Sequence, residues 1–203
     1  MGRELEIQYN ENNRVIASRD VPSRNVNMAI NKLTALLPSP QAPVDSGVGK
    51  KWPEIEPGLS FPSDYVDFIR VYGSGRIADF LVIFNPFSDN QDINFFDQFK
   101  LILDDLEELN QSDSEYYSYP IYPAPNSLIP LGVTDNGDYI FWTANSTAES
   151  DSWGVAIIPS RSPDIEYFQM SLTTTLAEIL SGNVRSSSFP DLFAAGIIRF
   201  DVI

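Results

Sequence analysis

The chain has 203 residues, 43% of them hydrophobic and 12% aromatic, enough to bury one sizeable core, and it carries no histidine and no cysteine. Without imidazole or thiol groups it lacks the usual general base at neutral pH, the Ser-His and Cys-His nucleophile arrangements, disulfides and the commonest transition-metal ligands. Its formal charge of −15 is uneven: residues 1–100 hold 13 acidic and 10 basic side chains, and residues 101–203 hold 15 and 3. A field of that sign repels phosphates, so no nucleic-acid partner is expected, and it favours a cationic protein partner.

In chain order, Leu5, Ile7 and Tyr9 alternate with Glu4, Glu6 and Gln8, and the turn-forming Asn10 to Asn13 leads to Val15-Ile16-Ala17, which predicts a hairpin. Val26, Ala29, Ile30, Leu33, Leu36 and Leu37 follow at helical spacing up to Pro38. Residues 38–57 hold Pro40, Pro43, Gly47, Gly49 and Pro53, the composition of an extended connection. Residues 1–49 are therefore read as a hairpin-helix extension with its linker, and residues 50–203 as the main domain.

A helix is predicted from Pro62 to Gly73, with Tyr65, Phe68, Ile69 and Tyr72 on one face. Ile77 to Phe84 reads as a strand closed by Pro86. A long amphipathic helix over about 93–109 turns Phe96, Phe99, Ile102, Leu103, Leu106 and Leu109 inward and Asp97, Lys100, Asp104 and Glu108 outward. Residues 110–126 form an acidic, tyrosine-dense and proline-rich loop, too polar for core. Strand-like runs at Leu128 to Thr134, Tyr139 to Trp142, Trp153 to Ile158 and Ile165 to Phe168 read as an antiparallel meander. A helix from Leu172 stops at Gly182, and the segment from Phe189 to Phe200 predicts a docked turn and a last strand.

No apolar run reaches eighteen residues, and the first residues lack the features of a signal peptide or a myristoylation site. No membrane partner and a cytoplasmic location are expected. Asp135-Asn136-Gly137-Asp138 lacks the length and terminal glutamate of a calcium loop and reads as a tight turn. Gly73-Ser74-Gly75 lacks the lysine of a phosphate loop. Carboxylates alone can run glycoside chemistry in a cleft, but Asp104, Asp105, Glu107 and Glu108 are placed on a solvated helix face. The Asn110 and Asn145 glycosylation patterns carry no weight without a secretion signal. Trp52, Trp142 and Trp153 read as packing residues. No catalytic residue, cofactor or metal is expected.

Three stretches together resemble the SUKH superfamily, which includes the yeast cell-wall-assembly regulator and many bacterial toxin-immunity proteins. They are Phe61-Pro62-Ser63-Asp64-Tyr65 running to Tyr72-Gly73-Ser74-Gly75, then Leu128 to Trp142 with its Thr134-Asp135-Asn136-Gly137-Asp138 turn, and the helix from Ser171 to Gly182. The likeness spans about residues 50–185, with Phe61 where the family has leucine. It implies an α+β fold, a mixed and mostly antiparallel sheet with packed helices, no known catalytic site, and a protein-binding role.

The expectation is an immunity protein that binds and neutralises a cognate basic toxin domain, for instance a nuclease, by occlusion. The alternative is a regulatory adaptor or scaffold of the cell-wall-regulator type. Asp104, Asp105, Glu107, Glu108, Asp113, Glu115, Tyr116, Tyr117 and Tyr119 are the expected partner-binding residues. Tyrosines offer large contact area at low entropic cost and carboxylates complement a basic partner. The competing reading of the same residues is a solubilising face beside a loop whose tyrosines fold back onto the sheet.

Overall fold

The structure is a computed structural model that describes residues 8–9, 15–17, 23–144, 149–190, 193 and 198–203. Strands β1 (Gln8–Tyr9) and β2 (Val15–Ala17) pair antiparallel, and helix α1 covers Ser23–Leu36. The main elements follow: α2 (Ser63–Tyr72), β3 (Gly75–Ile77), β4 (Leu81–Ile83), α3 (Phe95–Ser112), β5 (Ser127–Thr134), β6 (Tyr139–Ala144), β7 (Gly154–Ile158), β8 (Glu166–Phe168), α4 (Leu172–Leu180) and β9 (Phe200–Val202). Seven strands form one sheet in the order β8-β7-β6-β5-β4-β3-β9, every neighbour antiparallel. Parallel pairing is confined to isolated bridges at Asn85–Asn94 and Ile121–Leu128. The architecture is the expected α+β class.

Strands β4, β5 and β7 are buried at almost every residue, so both faces of the sheet are covered. On one face Leu81, Ile83, Ile140, Val155 and Ile157 meet Leu172, Leu176 and Ile179 of α4. On the other, Leu106 and Leu109 of α3 lie with Tyr139 and Ile158. Helix α1 is part of this packing: Ile30, Leu33 and Leu37 belong to the same buried apolar cluster as α2 and β4. Each such aliphatic side chain contributes about 1.5–3 kcal/mol when fully buried.

The Tyr72-Gly73-Ser74-Gly75 turn holds this assembly together. The Tyr72 hydroxyl donates to the Leu37 carbonyl at 2.7 Å, and the Ser74 N–H donates to the Val44 carbonyl at 2.8 Å. Gly73 has φ +70°, ψ −146°, and a β-carbon there would overlap the Val44 carbonyl oxygen. A β-carbon on Gly75 would overlap the Phe200 ring of the neighbouring β9. The buried Asn85 donates to the Ser74 hydroxyl at 3.0 Å and to the Asp45 carbonyl at 3.1 Å, while its own Oδ1 accepts from the Phe87 N–H at 2.9 Å. The proline- and glycine-rich stretch after α1 is thereby fastened at Val44 and Asp45.

Remote carboxylates close two helix N-termini. Pro62 has no side chain able to cap α2, and Asp151, from the short 3-10 turn Ser150–Ser152, accepts the Ser63 N–H at 2.5 Å. Ser171 gives α4 no side-chain cap, and Asp64 Oδ2 accepts the Thr173 N–H at 2.9 Å and its hydroxyl at 3.2 Å. Burial of Asp64 pushes its carboxyl above the ordinary aspartate value of 3.8, because the loss of water outweighs the bonds from Thr173, Ser171 and Tyr65.

Two local expectations need correction. The strand expected over Ile77 to Phe84 is a hairpin, because Ala78 and Asp79 adopt φ +51° and +54° and the Phe80 N–H returns to the Ile77 carbonyl at 3.0 Å. In α3 the inward aromatic at the N-terminus is Phe95, fully buried, whereas Phe96 is exposed. Asn94 caps this helix by accepting from Phe96 N–H at 2.8 Å and Asp97 N–H at 3.2 Å, which sets the helix rotation. Leu5, Ile7, Asn145, Leu192 and Ile197 lie outside the described residues, as does the side chain of Val26.

Two measurements test these constraints. Gly73→Ala should lower the unfolding free energy by at least about 1–3 kcal/mol, from the backbone conformation alone, in urea titration. An unchanged midpoint would contradict the close approach of Val44. Asp64 binds its proton more tightly folded than unfolded, so its stabilisation is complete below pH 3.8 and lost as pH rises through the raised value. The stability of the wild type relative to Asp64→Asn, which titrates nowhere, should therefore fall as pH rises through this window; a rise would refute the shift.

Candidate functional site

The site is assembled around the turn between β5 and β6. The Gly137 N–H donates to the Thr134 carbonyl at 2.9 Å and the Thr134 N–H to the Asp138 carbonyl at 3.0 Å, with Gly137 at φ +81°. Asp138 is 4% exposed, and its carboxylate accepts the Thr134 hydroxyl at 2.7 Å and the Ser160 N–H at 3.0 Å. The Ser160 hydroxyl in turn donates to the Asn136 carbonyl at 2.8 Å. Asp138 thus staples the turn to the loop between β7 and β8, and that loop carries Pro159, Ser160, Arg161 and Ser162. Asp135, on the same turn, is ion-paired with Arg76 on the surface.

Across from this staple stands the tyrosine loop after α3. The Asp113 N–H continues the helix bonding to the Leu109 carbonyl at 3.2 Å, and its Oδ1 accepts the N–H groups of Glu115 at 3.2 Å and Tyr116 at 3.1 Å. Asn110 clasps the backbone of Tyr119 on both sides, donating to its carbonyl at 2.9 Å and accepting its N–H at 3.0 Å. Tyr116 meets Tyr117 edge-on with ring centres 4.8 Å apart, and Tyr117 lies 5.8 Å from Tyr119. The loop is internally bonded, which presents its aromatic rings as a wall.

Between the two walls lies a cleft of about 320 Å³. Leu106, Leu109 and Ile158 make its apolar floor, four tyrosines at 116, 117, 119 and 139 flank it, and Arg161 stands at its side. The Tyr139 hydroxyl donates to Asp105 at 3.4 Å. Burial, with Asp105 beside it, raises the Tyr139 phenol, and burial followed by Tyr117, Tyr116 and Asp164 raises that of Tyr119. These two phenols keep their protons at neutral pH and act as hydrogen-bond donors rather than bases. Arg161 makes no hydrogen bond or ion pair among the described residues. No group of three carboxylates able to hold a metal ion occurs among them. No described helix is long and apolar enough to cross a membrane.

The expected partner-binding residues divide into three groups. Asp104, Glu107 and Glu108 are exposed on the outer face of α3, together with Leu101 at 51% exposure. Asp105 is half-buried against Tyr139, and the exposed Asp113 has its carboxylate engaged by its own loop. Glu115 and Tyr116 are exposed, Tyr117 is half-buried, and Tyr119 is only 6% exposed, so its ring is wall rather than contact surface. Tyr139 and Arg161 were not among the expected residues. The signal available for Arg161 is its rarity: it is one of three basic residues after position 100.

A family model described as SUKH_6, SMI1-KNR4 cell-wall, matches residues 54–174, more than half of the chain. No curated protein and no solved structure matches it. The matched span includes the Gly73 turn, the Asp138 staple and Asp64. These motif residues are the ones whose side chains and backbone positions hold the elements together.

Removing the staple should show this. Asp138→Ala leaves the Ser160 N–H and the Thr134 hydroxyl without their acceptor, with an expected loss of about 1–3 kcal/mol in urea unfolding. Asp135→Ala removes a surface pair and should cost about 0–1 kcal/mol. Equal losses at the two positions would contradict the staple.

Proposed function

The chain belongs to the SMI1-KNR4 cell-wall family, SUKH_6, and from that premise we propose that it is a cytoplasmic immunity protein. Its family includes toxin-immunity proteins and cell-wall regulators. In this reading it binds a cognate toxin domain with a basic surface and blocks the toxin's active site or substrate path. The observation that carries the proposal is the outer face of α3, where Asp104, Glu107 and Glu108 stand exposed beside the tyrosine-walled cleft in a chain of net charge −15. A nuclease is a fitting target, because such enzymes expose positive grooves that an acidic surface can occupy in place of phosphates. The work is done by complementarity, not turnover.

Electrostatic steering raises association rates by about 10–10³-fold and fades as salt screens it. The triple variant Asp104→Asn, Glu107→Gln, Glu108→Gln leaves Asp105 in place to hold Tyr139. It should associate with the toxin about tenfold more slowly at low ionic strength and show a flatter salt dependence. A rate unchanged by the three substitutions would remove α3 from the interface. Co-expression with the product of the neighbouring gene, scored for survival and co-purification, identifies the partner. The family model's cell-wall description favours a second reading, a regulatory adaptor, for which the same screen should return several weak partners and no rescue.

A further inference from the structure

The lining of the cleft contains no carboxylate, although Asp105 accepts the Tyr139 hydroxyl and Asp164 lies near Tyr119. Its lining holds Leu106, Leu109, Ile158 and Pro159, the four tyrosines, and one residue with a formal charge, Arg161. Arg161 is exposed, unpaired among the described residues, and also lines a smaller neighbouring hollow of about 220 Å³ with Asn136, Asp138, Pro159, Ser160, Ser187 and Ser188. The other two cations of the second half contrast with it in part. Arg199 is paired with Asp201, and Arg185 lines neither hollow. The Arg161 loop is held in position by the Asp138 staple, so the cation is presented from a fixed support. At about 320 Å³ the cleft is at the lower end of small-molecule sites, which run to about 1,000 Å³.

We propose that the cleft is the anchor point of the partner interface: it takes one large apolar side chain of the partner protein, and Arg161 pairs with a carboxylate next to that side chain. This deepens the reading of the cleft-side face as a toxin-binding surface and rests on it. The apolar floor and aromatic walls fit a buried ring, which is the usual make-up of an interface anchor. A guanidinium left unpaired beside a strongly acidic surface complements an acid on the partner, and the hydroxyls of Tyr116 and Tyr117 add donors for the same carboxylate, while that of Tyr139 is engaged by Asp105. An arginine within an acidic face also sets register, since a basic partner docks in many ways on carboxylates alone and in one way when its single acid must find Arg161.

The proposal predicts an effect of opposite sign to steering. If the partner is recognised only as a cation, removing the Arg161 charge should strengthen binding. If Arg161 holds a carboxylate, Arg161→Gln should weaken it. The test uses three probes on the full chain: N-acetyl-Phe-Glu amide, N-acetyl-Phe-Gln amide and N-acetyl-Phe-Lys amide, followed by NMR. The glutamate probe should shift resonances of Tyr116, Tyr117, Tyr139 and the Arg161 side chain, and bind about tenfold more tightly than the lysine probe. Arg161→Gln should abolish that preference while leaving the apolar part of the binding. Tyr116→Ala, a change at an exposed ring, should weaken all three probes.

Preference for the lysine probe, equal affinity for all three, or shifts confined to residues outside the cleft would overturn the anchor. Once the toxin complex is in hand, Arg161→Gln should weaken it about tenfold, mainly through faster dissociation. A complex that is tightened by Arg161→Gln yet slowed by the α3 triple variant would refute the anchor and leave the immunity reading standing. A complex indifferent to the α3 variant and dependent on Arg161 would support the anchor and remove α3 from the interface.

Discussion

The carbonyl of Val44 occupies the space a side chain on residue 73 would need, and most of the molecule's geometry follows from that one close approach. Because Gly73 can hold φ +70°, α2 ends abruptly and the chain enters β3 at once. The neighbouring residues use the same turn: Tyr72 reaches Leu37 at the end of α1, Ser74 reaches Val44, Asn85 reaches Ser74 and Asp45, and Gly75 lets Phe200 of β9 lie against it. The stretch from Leu37 to Asp45, Asn85, and Phe200 near the other end of the chain converge on four consecutive residues. A run with so many neighbours tolerates few substitutions, which is why it is recognisable as a motif.

The same logic applies to the other recognisable residues, and it separates structure from binding. Asp64 closes α4 and Asp138 ties one turn to the next loop. Both are buried carboxylates whose oxygens are occupied by internal donors. The groups left over for a partner lie in between: the outer carboxylates of α3, the rings of Tyr116 and Tyr117, and Arg161. In this arrangement the motif residues build the frame, and the stretches between them present the charge and the rings. In the proposed complex the summed charge would steer the partner, whereas its orientation would be set by where Arg161 stands in the cleft.

Much of this frame is legible in the residues. The spacing of Tyr65, Phe68, Ile69 and Tyr72 marks the buried face of α2, and Pro62 and Gly73 mark its ends. The meander over β5 to β8 can be read because its turns carry glycine, asparagine, serine and proline. The β3–β4 hairpin cannot, since Ala78 and Asp79 take positive φ without the glycine that usually announces it. The rotation of α3 is off by one aromatic residue because periodicity alone does not choose between Phe95 and Phe96; the cap at Asn94 does. In the candidate site, Tyr116 is exposed while Tyr119 is buried, a difference set by the backbone clasp at Asn110. Arg161 is invisible to motif reading, because its setting is made by residues across the cleft from it, not by those beside it in the chain.

Asp64 and Thr173 are 109 positions apart. On a ribosome adding about 5–20 residues per second, the carboxylate emerges roughly 5–20 s before the amide it must receive. Through that interval α2 already offers its acceptor, but the last helix of the sheet's far face does not yet exist. Completion of the native packing therefore waits until α4 has been translated, and a product truncated before Thr173 would leave the apolar surface of Leu81, Ile83 and Ile140 uncovered by it.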